Sequence, residues 1–180
     1  MSGGGRINQF RAAVVARLKE AMPKLAHCDE QFGRFDLDEL ETTTIRAPAV
    51  RVAVLQARLP RIASGEADAE LSCAAFVVTE GRDRDRVAWT IAEAIATLLH
   101  PAQRWGLARL SGPTAVTVQP AVTAKLRQRT VSLIAVEWRQ DLRGLGEALF
   151  DNDGYLVEGL YLGDDLVAEP EGLPEGGSDE

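Results

Sequence analysis

Two β-rich runs separated by a short polar break constrain the fold of this chain more than any other stretch. The runs lie between Ala49 and Thr79, and the break between them contains Gly65. Apolar residues occupy alternate positions in both, namely Val50, Val52 and Val54 in the first run and Leu71, Cys73, Ala75 and Val77 in the second. Alternation with a period of two is typical of a strand. A short polar connection between two such runs predicts an antiparallel β-hairpin.

Both faces of this predicted hairpin carry apolar residues. After Val54 the alternation changes phase and moves to Leu55, Ala57 and Leu59. In the second run, Phe76 and Val78 make the opposite face apolar as well. A β-bulge would explain the change of phase. Helices on one face and a second subunit on the other would explain two apolar faces. The sequence favours neither explanation over the other.

A helical pattern precedes the hairpin. The first predicted helix runs from about Ile7 to Met22, with Asn8 as a candidate N-cap and Pro23 beyond its end. Its apolar stripe consists of Phe10, Val14, Leu18 and Ala21. We expect this stripe to pack on the sheet.

A second helical pattern follows the hairpin, from about Arg86 to Leu99. Asp83 or Asp85 is its candidate cap, and Pro101 ends it. Its apolar stripe consists of Ala88, Ile91, Ala92, Ile95, Leu98 and Leu99. Trp89 lies off that stripe, so we expect either partial burial under a loop or, if it is exposed, a contact surface.

The remaining pattern predicts two more strands and a connector. The strands run from Thr114 to Val122, with Pro120 at an edge or an end, and from Thr130 to Arg139. Residues 25–44 are predicted as a connector with turns. The order helix, strand, strand, helix, strand, strand indicates an α+β fold, with the helices on one face of a mostly antiparallel sheet. We assign it to residues 1–144.

The charge distribution separates residues 145–180 from this domain. They hold 11 of the 27 acidic residues and no Lys or Arg, so residues 1–144 have a formal net charge of +4. We expect residues 145–180 to form an acidic extension, disordered in part, that stays solvated or docks on a basic partner. A weak hairpin turning at Asp153–Gly154 is predicted within it.

Composition excludes several classes of protein. No run of about 18 apolar residues occurs, so we expect no transmembrane helix. The first ten residues lack an apolar segment, which argues against a signal peptide. Cys28 and Cys73 are too few for a disulfide scaffold and favour a reducing compartment.

The motifs of catalysis and cofactor binding are not found. The sequence has no phosphate loop and no nucleophile elbow, and His27 and His100 have no evident partners. The run from His27 to Glu30 lacks the spacing of metal ligands, and Asp151–Gly154 reads as a turn rather than a calcium loop. We therefore expect no metal, no cofactor and no enzyme activity. Without interleaved aromatic residues, the basic run Lys125–Arg129 does not predict specific nucleic-acid binding.

Two segments are candidate interfaces. Arg104 and Trp105 stand together in a loop, and this pair is enriched in protein interfaces, although such a tryptophan also plugs the end of a core. Both alternatives stay open. Lys125, Arg127 and Arg129 form a basic turn, which is the second candidate interface.

Taken in order, several segments resemble the Mu-like phage and prophage tail proteins of the tail-terminator type. The resemblance covers roughly Phe32 to Gln140, and the matching segments are FDLDEL, APAVRVAVL, AELSCAAFVVTEGRDRD, RWGL and VEWRQ. It implies a small subunit that forms a hexameric ring, caps the tube of a contractile tail and presents a surface to the head connector. The expected partners are other copies of the chain, the tail tube protein and the neck proteins. With these partners, we expect the hairpin and the turn Lys125–Arg129 at subunit or tube contacts. The expected location is the virion, and the host cytoplasm during assembly, with no membrane partner.

Two alternatives remain from the sequence. A neck or head-completion protein would share the same partners. A small-ligand-binding α+β domain would instead show a monomer with a deep polar pocket.

Overall fold

The structure is a computed structural model that describes residues 5–34, 46–60, 67–121 and 131–146, and the backbone of two short strands at 160–162 and 165–168. Two helices and seven strands are present in the described residues. In chain order they are α1 (Arg6–Ala21), β1 (His27–Phe32), β2 (Ala49–Arg58), β3 (Ala67–Glu80), α2 (Arg84–Leu98), β4 (Thr114–Pro120), β5 (Val131–Leu145), β6 (Leu160–Leu162) and β7 (Asp165–Ala168).

The first five strands form one sheet with the order β1-β2-β3-β5-β4. The predicted hairpin is confirmed, because β2 and β3 pair antiparallel, with Val50 opposite Val77. Strand β3 also pairs antiparallel with β5, and β5 with β4, whereas β1 pairs parallel with β2. The α+β class and the mostly antiparallel sheet are therefore confirmed. Strands β6 and β7 form a separate two-stranded sheet.

Strand β1 corrects the prediction of a connector between residues 25 and 44. Its sequence, HCDEQF, is mostly polar, and only Cys28 and Gln31 are buried in it. It lies at the edge of the sheet and pairs with β2 over all six of its residues. A short polar edge strand carries little hydrophobic periodicity, so its sequence did not predict it.

Both helices contribute to one core on the same face of the sheet. Phe10, Val14 and Leu18 of α1 and Ala88, Ala92 and Ile95 of α2 are almost fully buried there. They pack with alternate residues of the three central strands, namely Val50 and Val52 of β2, Leu71, Cys73, Ala75 and Val77 of β3, and Ile134, Val136 and Trp138 of β5. The small side chains Ala88 and Ala92 let α2 approach the sheet closely.

The opposite face is also apolar and buried. Its cluster consists of Ala49, Ala53, Ala74, Phe76, Val78, Leu133 and Ala135, none more than 6% exposed. No helix described here packs on it. The predicted β-bulge is present, since the register of β2 against β3 shifts between Val54 and Gln56. This shift explains the change of phase, and the centre of the second face is buried within a single chain.

The helix ends differ in detail from the prediction. Helix α1 begins at Arg6 with Gly5 at the N-cap, so the prediction of Asn8 as N-cap is wrong. Asn8 lies in the first turn, where its Oδ1 accepts a hydrogen bond from Arg11. Asp83 occupies the N-cap position of α2 without a capping hydrogen bond from its side chain. The carboxylate of Asp85 instead accepts a hydrogen bond from the Ser132 hydroxyl, which ties α2 to the start of β5.

Several predictions fall outside the described residues. These are the hairpin turn at Gly65, the basic turn Lys125–Arg129, the turn within Asp151–Gly154, and disorder beyond Ala168. Strand β4 ends at Pro120 on the sheet edge, as predicted. Strand β5 continues six residues past the predicted end at Arg139, to Leu145.

Candidate assembly surfaces

Trp105 lies in the core rather than on the surface. Its side chain is 7% exposed, and its ring packs on Trp138 with the two centroids 6.4 Å apart. Its Nε1 donates a hydrogen bond of 2.8 Å to Oε1 of Gln140. Of the two alternatives for this residue, the geometry matches a plug at the end of the core.

Gln140 organises the loop that carries Trp105. Its side chain is 1% exposed, and all its hydrogen-bonding capacity is directed to this loop and to Trp138. Oε1 accepts hydrogen bonds from Nε1 of both tryptophans, at 2.8 and 3.0 Å. Nε2 donates to the backbone carbonyls of Gln103 and Ser111, at 3.3 and 2.8 Å. A buried amide with every partner present fixes one arrangement of the groups around it.

Arg104 is exposed, but it is held within its own loop. Its Nη1 donates to the carbonyl oxygens of Pro101 and Gln103, at 2.8 and 3.1 Å. Trp105 and Arg109 both have positive φ values, 51° and 57°, which non-glycine residues adopt at an energetic cost. The bonds of the Gln140 amide offset that cost. The structure thus separates the predicted pair, with Arg104 at the surface and Trp105 inside.

The most exposed large apolar side chain is that of Phe32, among the described residues. It ends β1, is 93% exposed, and is followed by Gly33 at a φ of +70° and by Arg34. Arg34 is 76% exposed and lies 3.6 Å from a carboxylate oxygen of Glu137 on β5. We call Phe32, Gly33 and Arg34 the β1 tip. Sequence reasoning missed it, and the only available signal was a lone aromatic residue after a polar run.

A groove lies at the opposite side of the sheet. It has a volume of about 370 Å³ and runs between the start of α2 and the adjoining ends of β4 and β5. Trp89, which is 48% exposed, lines it with Asp85, Pro120, Val131 and Leu133. We call it the Trp89 groove. Trp89 is half-exposed, so both alternatives given for this residue, partial burial and a contact surface, stay open.

Strand β4 is a poor template for backbone pairing. The Ala121 N–H donates to the Leu133 carbonyl at 2.9 Å, so alternation along the ladder turns Pro120 toward the open side. Proline has no N–H to offer there. The register also shifts between Thr114 and Thr117, and Ala115 has a φ of 50°. Both features protect this edge against strand addition.

A third depression, of about 550 Å³, lies on the second face of the sheet. Arg34, Glu137 and Arg139 line it with Thr117 and Gln56. Its charged groups are already paired, Arg34 with Glu137 at 3.6 Å and Arg139 with Glu70 at 3.5 Å. It is open to solvent, unlike the deep pocket that a small-ligand function requires.

The two cysteines are free thiols in the core. Burial raises the pKa of the Cys28 thiol from its ordinary value of 9.0 to about 11, with Lys19 opposing the shift and Asp29 adding to it. Burial also raises the pKa of Cys73. Both thiols are therefore protonated and unreactive near neutral pH.

Across residues 5–34, 46–60, 67–121 and 131–146, no three His, Cys, Asp or Glu side chains converge as metal ligands would. Neither α1 nor α2 has the length and apolar character of a membrane-crossing helix. Of the five predicted interface residues, Lys125, Arg127 and Arg129 lie outside the described part of the chain.

Comparison with known proteins gives no relative for this chain: no protein-family model matches it, and no curated protein does.

Proposed function

We propose that this chain is a tail-terminator subunit of a Mu-like phage or prophage particle with a contractile tail. Copies of it form a ring, which we take to be hexameric, that caps the tail tube and joins it to the head connector. It acts as a structural protein, assembles in the host cytoplasm and remains in the virion. The sequence resemblance supplies the identity of the particle, and the geometry supports the mode of assembly.

One observation carries the proposal: each of the two edge strands of the sheet carries an exposed large apolar side chain. Phe32 ends the edge strand β1, Val116 lies on the edge strand β4, and Leu59 lies just beyond β2. Val87 and Trp89 are exposed on α2. The apolar clusters on the two faces of the sheet, in contrast, are buried within the chain.

This distribution fits contacts made side by side. A ring is built from heterologous contacts, in which one side of a subunit binds the other side of the next, and it closes when the rotation divides a full turn. Apolar residues at both margins of one sheet provide such a pair of sides. The side chains of the margins then meet without uncovering either face of the sheet.

Locating the chain in purified particles tests the function. The chain carries a C-terminal epitope tag, is expressed in a host that produces the particle, and is labelled with gold-conjugated antibody for electron microscopy. We expect label at the junction of tail and head, one cluster per particle. Label on the head shell, or particles without label, would contradict the proposal. Label on isolated heads that lack tails would instead favour a neck or head-completion protein.

A further inference from the structure

We propose that β1 is a latch, held on the sheet by ion pairs, and that screening of these pairs releases it while the rest of the fold stays intact. The closed latch covers the edge of β2. This inference goes beyond the proposed function and does not depend on it, because it concerns contacts within one chain.

Burial of apolar side chains holds β1 only weakly. Cys28 is its one buried apolar residue, and Phe32 at its end is 93% exposed. Among the described strands β1 pairs only with β2, and this pairing is parallel, which is slightly less stable per residue than antiparallel pairing. A strand with so few buried contacts opens at a lower free energy than the core strands do.

Two arginines from different elements hold the strand through its carboxylates. Nη2 of Arg11 in α1 lies 2.9 Å from Oε2 of Glu30 and also donates to the Gln31 carbonyl at 3.4 Å. Nη1 of Arg51 in β2 lies 3.8 Å from Oδ2 of Asp29. The side chains of the two arginines are only 18% and 17% exposed. A cation that is mostly buried depends on its carboxylate more than an exposed cation does.

Asp29 lies close to two further side chains that can carry positive charge. Its carboxylate is 3.6 Å from Nζ of Lys19 and 3.7 Å from Nδ1 of His27, and these two side chains are 57% and 38% exposed. Salt ions therefore reach this cluster. The screening length falls from about 10 Å at about 0.1 M salt to about 3 Å at about 1 M. Strand β1 should open more often as the ionic strength rises.

Opening of β1 makes β2 the edge strand of the sheet. Residues Ala49–Val54 of β2 contain no proline and keep a regular register with β3. Their backbone groups on the β1 side are then free to pair with another strand. At the other edge, Pro120 and the shifted register obstruct β4. The ion pairs of β1 thus protect the more regular of the two sheet edges.

Amide hydrogen exchange of the parent chain tests the latch. It is measured by NMR at about 0.1 M and about 1 M sodium chloride. We expect exchange at the higher salt to rise at least about fivefold in β1 and in the β2 amides that face β1. The controls are the β2 amides that face β3, and strand β4, an exposed edge strand without a charged residue. They should change less than about twofold. A uniform rise across the sheet, or no rise in β1, would overturn the proposal.

Neutral variants separate the ion pairs from general effects of salt. The double variant Asp29→Asn and Glu30→Gln removes both carboxylates with little change in volume. The matched control is Glu70→Gln, which removes the ion pair with Arg139 between β3 and β5. We expect the double variant at low salt to show the β1 exchange that the parent shows at high salt, and the control to behave as the parent.

The double variant refutes the latch if it keeps the protection and the salt response of the parent in β1. Urea denaturation establishes that each variant is folded. If the double variant does not fold, Glu30→Gln alone is measured in the same way, and parent-like exchange in that variant would equally refute the proposal.

Discussion

Two aromatic residues that are close to an arginine in the sequence differ in burial. Trp105 follows Arg104 and is enclosed, with its indole N–H bonded to Gln140 and its ring against Trp138. Phe32 precedes Arg34 by two residues and is almost fully exposed. The difference comes from what each segment finds in the rest of the chain. The buried amide of Gln140 accepts a hydrogen bond from Trp105, whereas no described residue encloses Phe32.

A substitution in the buried region around Trp105 and Trp138 has the largest expected effect on stability. Trp138→Ala removes a side chain that is 2% exposed and leaves a cavity in the core. We expect a loss of about 3–5 kcal/mol in the free energy of unfolding, measured by urea denaturation. The matched control, Trp89→Ala at a half-exposed position, should cost less than about 1 kcal/mol. Equal losses would mean that the two regions do not differ as described.

Removing the Gln140 amide tests the same region with little change in volume. Gln140→Leu leaves two indole N–H groups and the Ser111 carbonyl without their partner, so we expect a loss of about 2–4 kcal/mol. Amide hydrogen exchange should rise across residues 103–111. Gln119→Leu, at an exposed position on β4, serves as the control and should change neither. An unchanged exchange rate in the loop would refute the role of Gln140.

The buried thiols predict a smaller effect that depends on pH. Burial raises the pKa of Cys28 from 9.0 to about 11, so both states hold the proton below pH 9. Between pH 9 and 11 the unfolded chain ionises while the folded chain does not, and stability therefore falls as the pH rises. In denaturation curves measured between pH 9 and 11, the stability of Cys28→Ala should fall less with rising pH than that of the parent chain. Identical pH profiles for variant and parent would contradict the burial of this thiol.

The exposed tip predicts the smallest change in stability. Phe32→Ser removes a side chain that packs on little, so we expect a change within about 0.5 kcal/mol of the parent value. A loss above about 1 kcal/mol in urea denaturation would show that Phe32 belongs to the core of its own chain. Phe32 and Trp105 would then both be core residues, and the two regions would not differ as described.

Much of the fold followed from periodicity. The hairpin, both helices and the strands β4 and β5 have apolar patterns long enough to identify them. The change of phase after Val54 identified the bulge as one of two explanations. Strand β1 was not predicted, because its six residues are mostly polar and it is held in the sheet by pairing with β2. Pairing with β2, which is set by tertiary structure, decides its conformation.

The candidate surfaces were harder to predict. The burial of Trp105 depends on Gln140, a residue 35 positions away, and no local pattern records that contact. The exposure of Phe32 depends on the same tertiary information, in the opposite sense. Trp89 lies off the apolar stripe of its helix, which correctly indicated a side chain outside the core, because Trp89 is half-exposed. For Lys125, Arg127 and Arg129, contact with a subunit or the tube stays a prediction, which charge reversal at Arg127 and Arg129 would test.

Native mass spectrometry of the parent chain mixed with isolated tail tubes tests the central claim most directly. The claim is that one margin of this subunit binds the other margin of the next, so that copies close into a ring. The account predicts a single closed stoichiometry, without a ladder of open oligomers, and its loss in Phe32→Ser while the variant stays folded. Monomers alone, with tubes present and at every protein concentration, would contradict it.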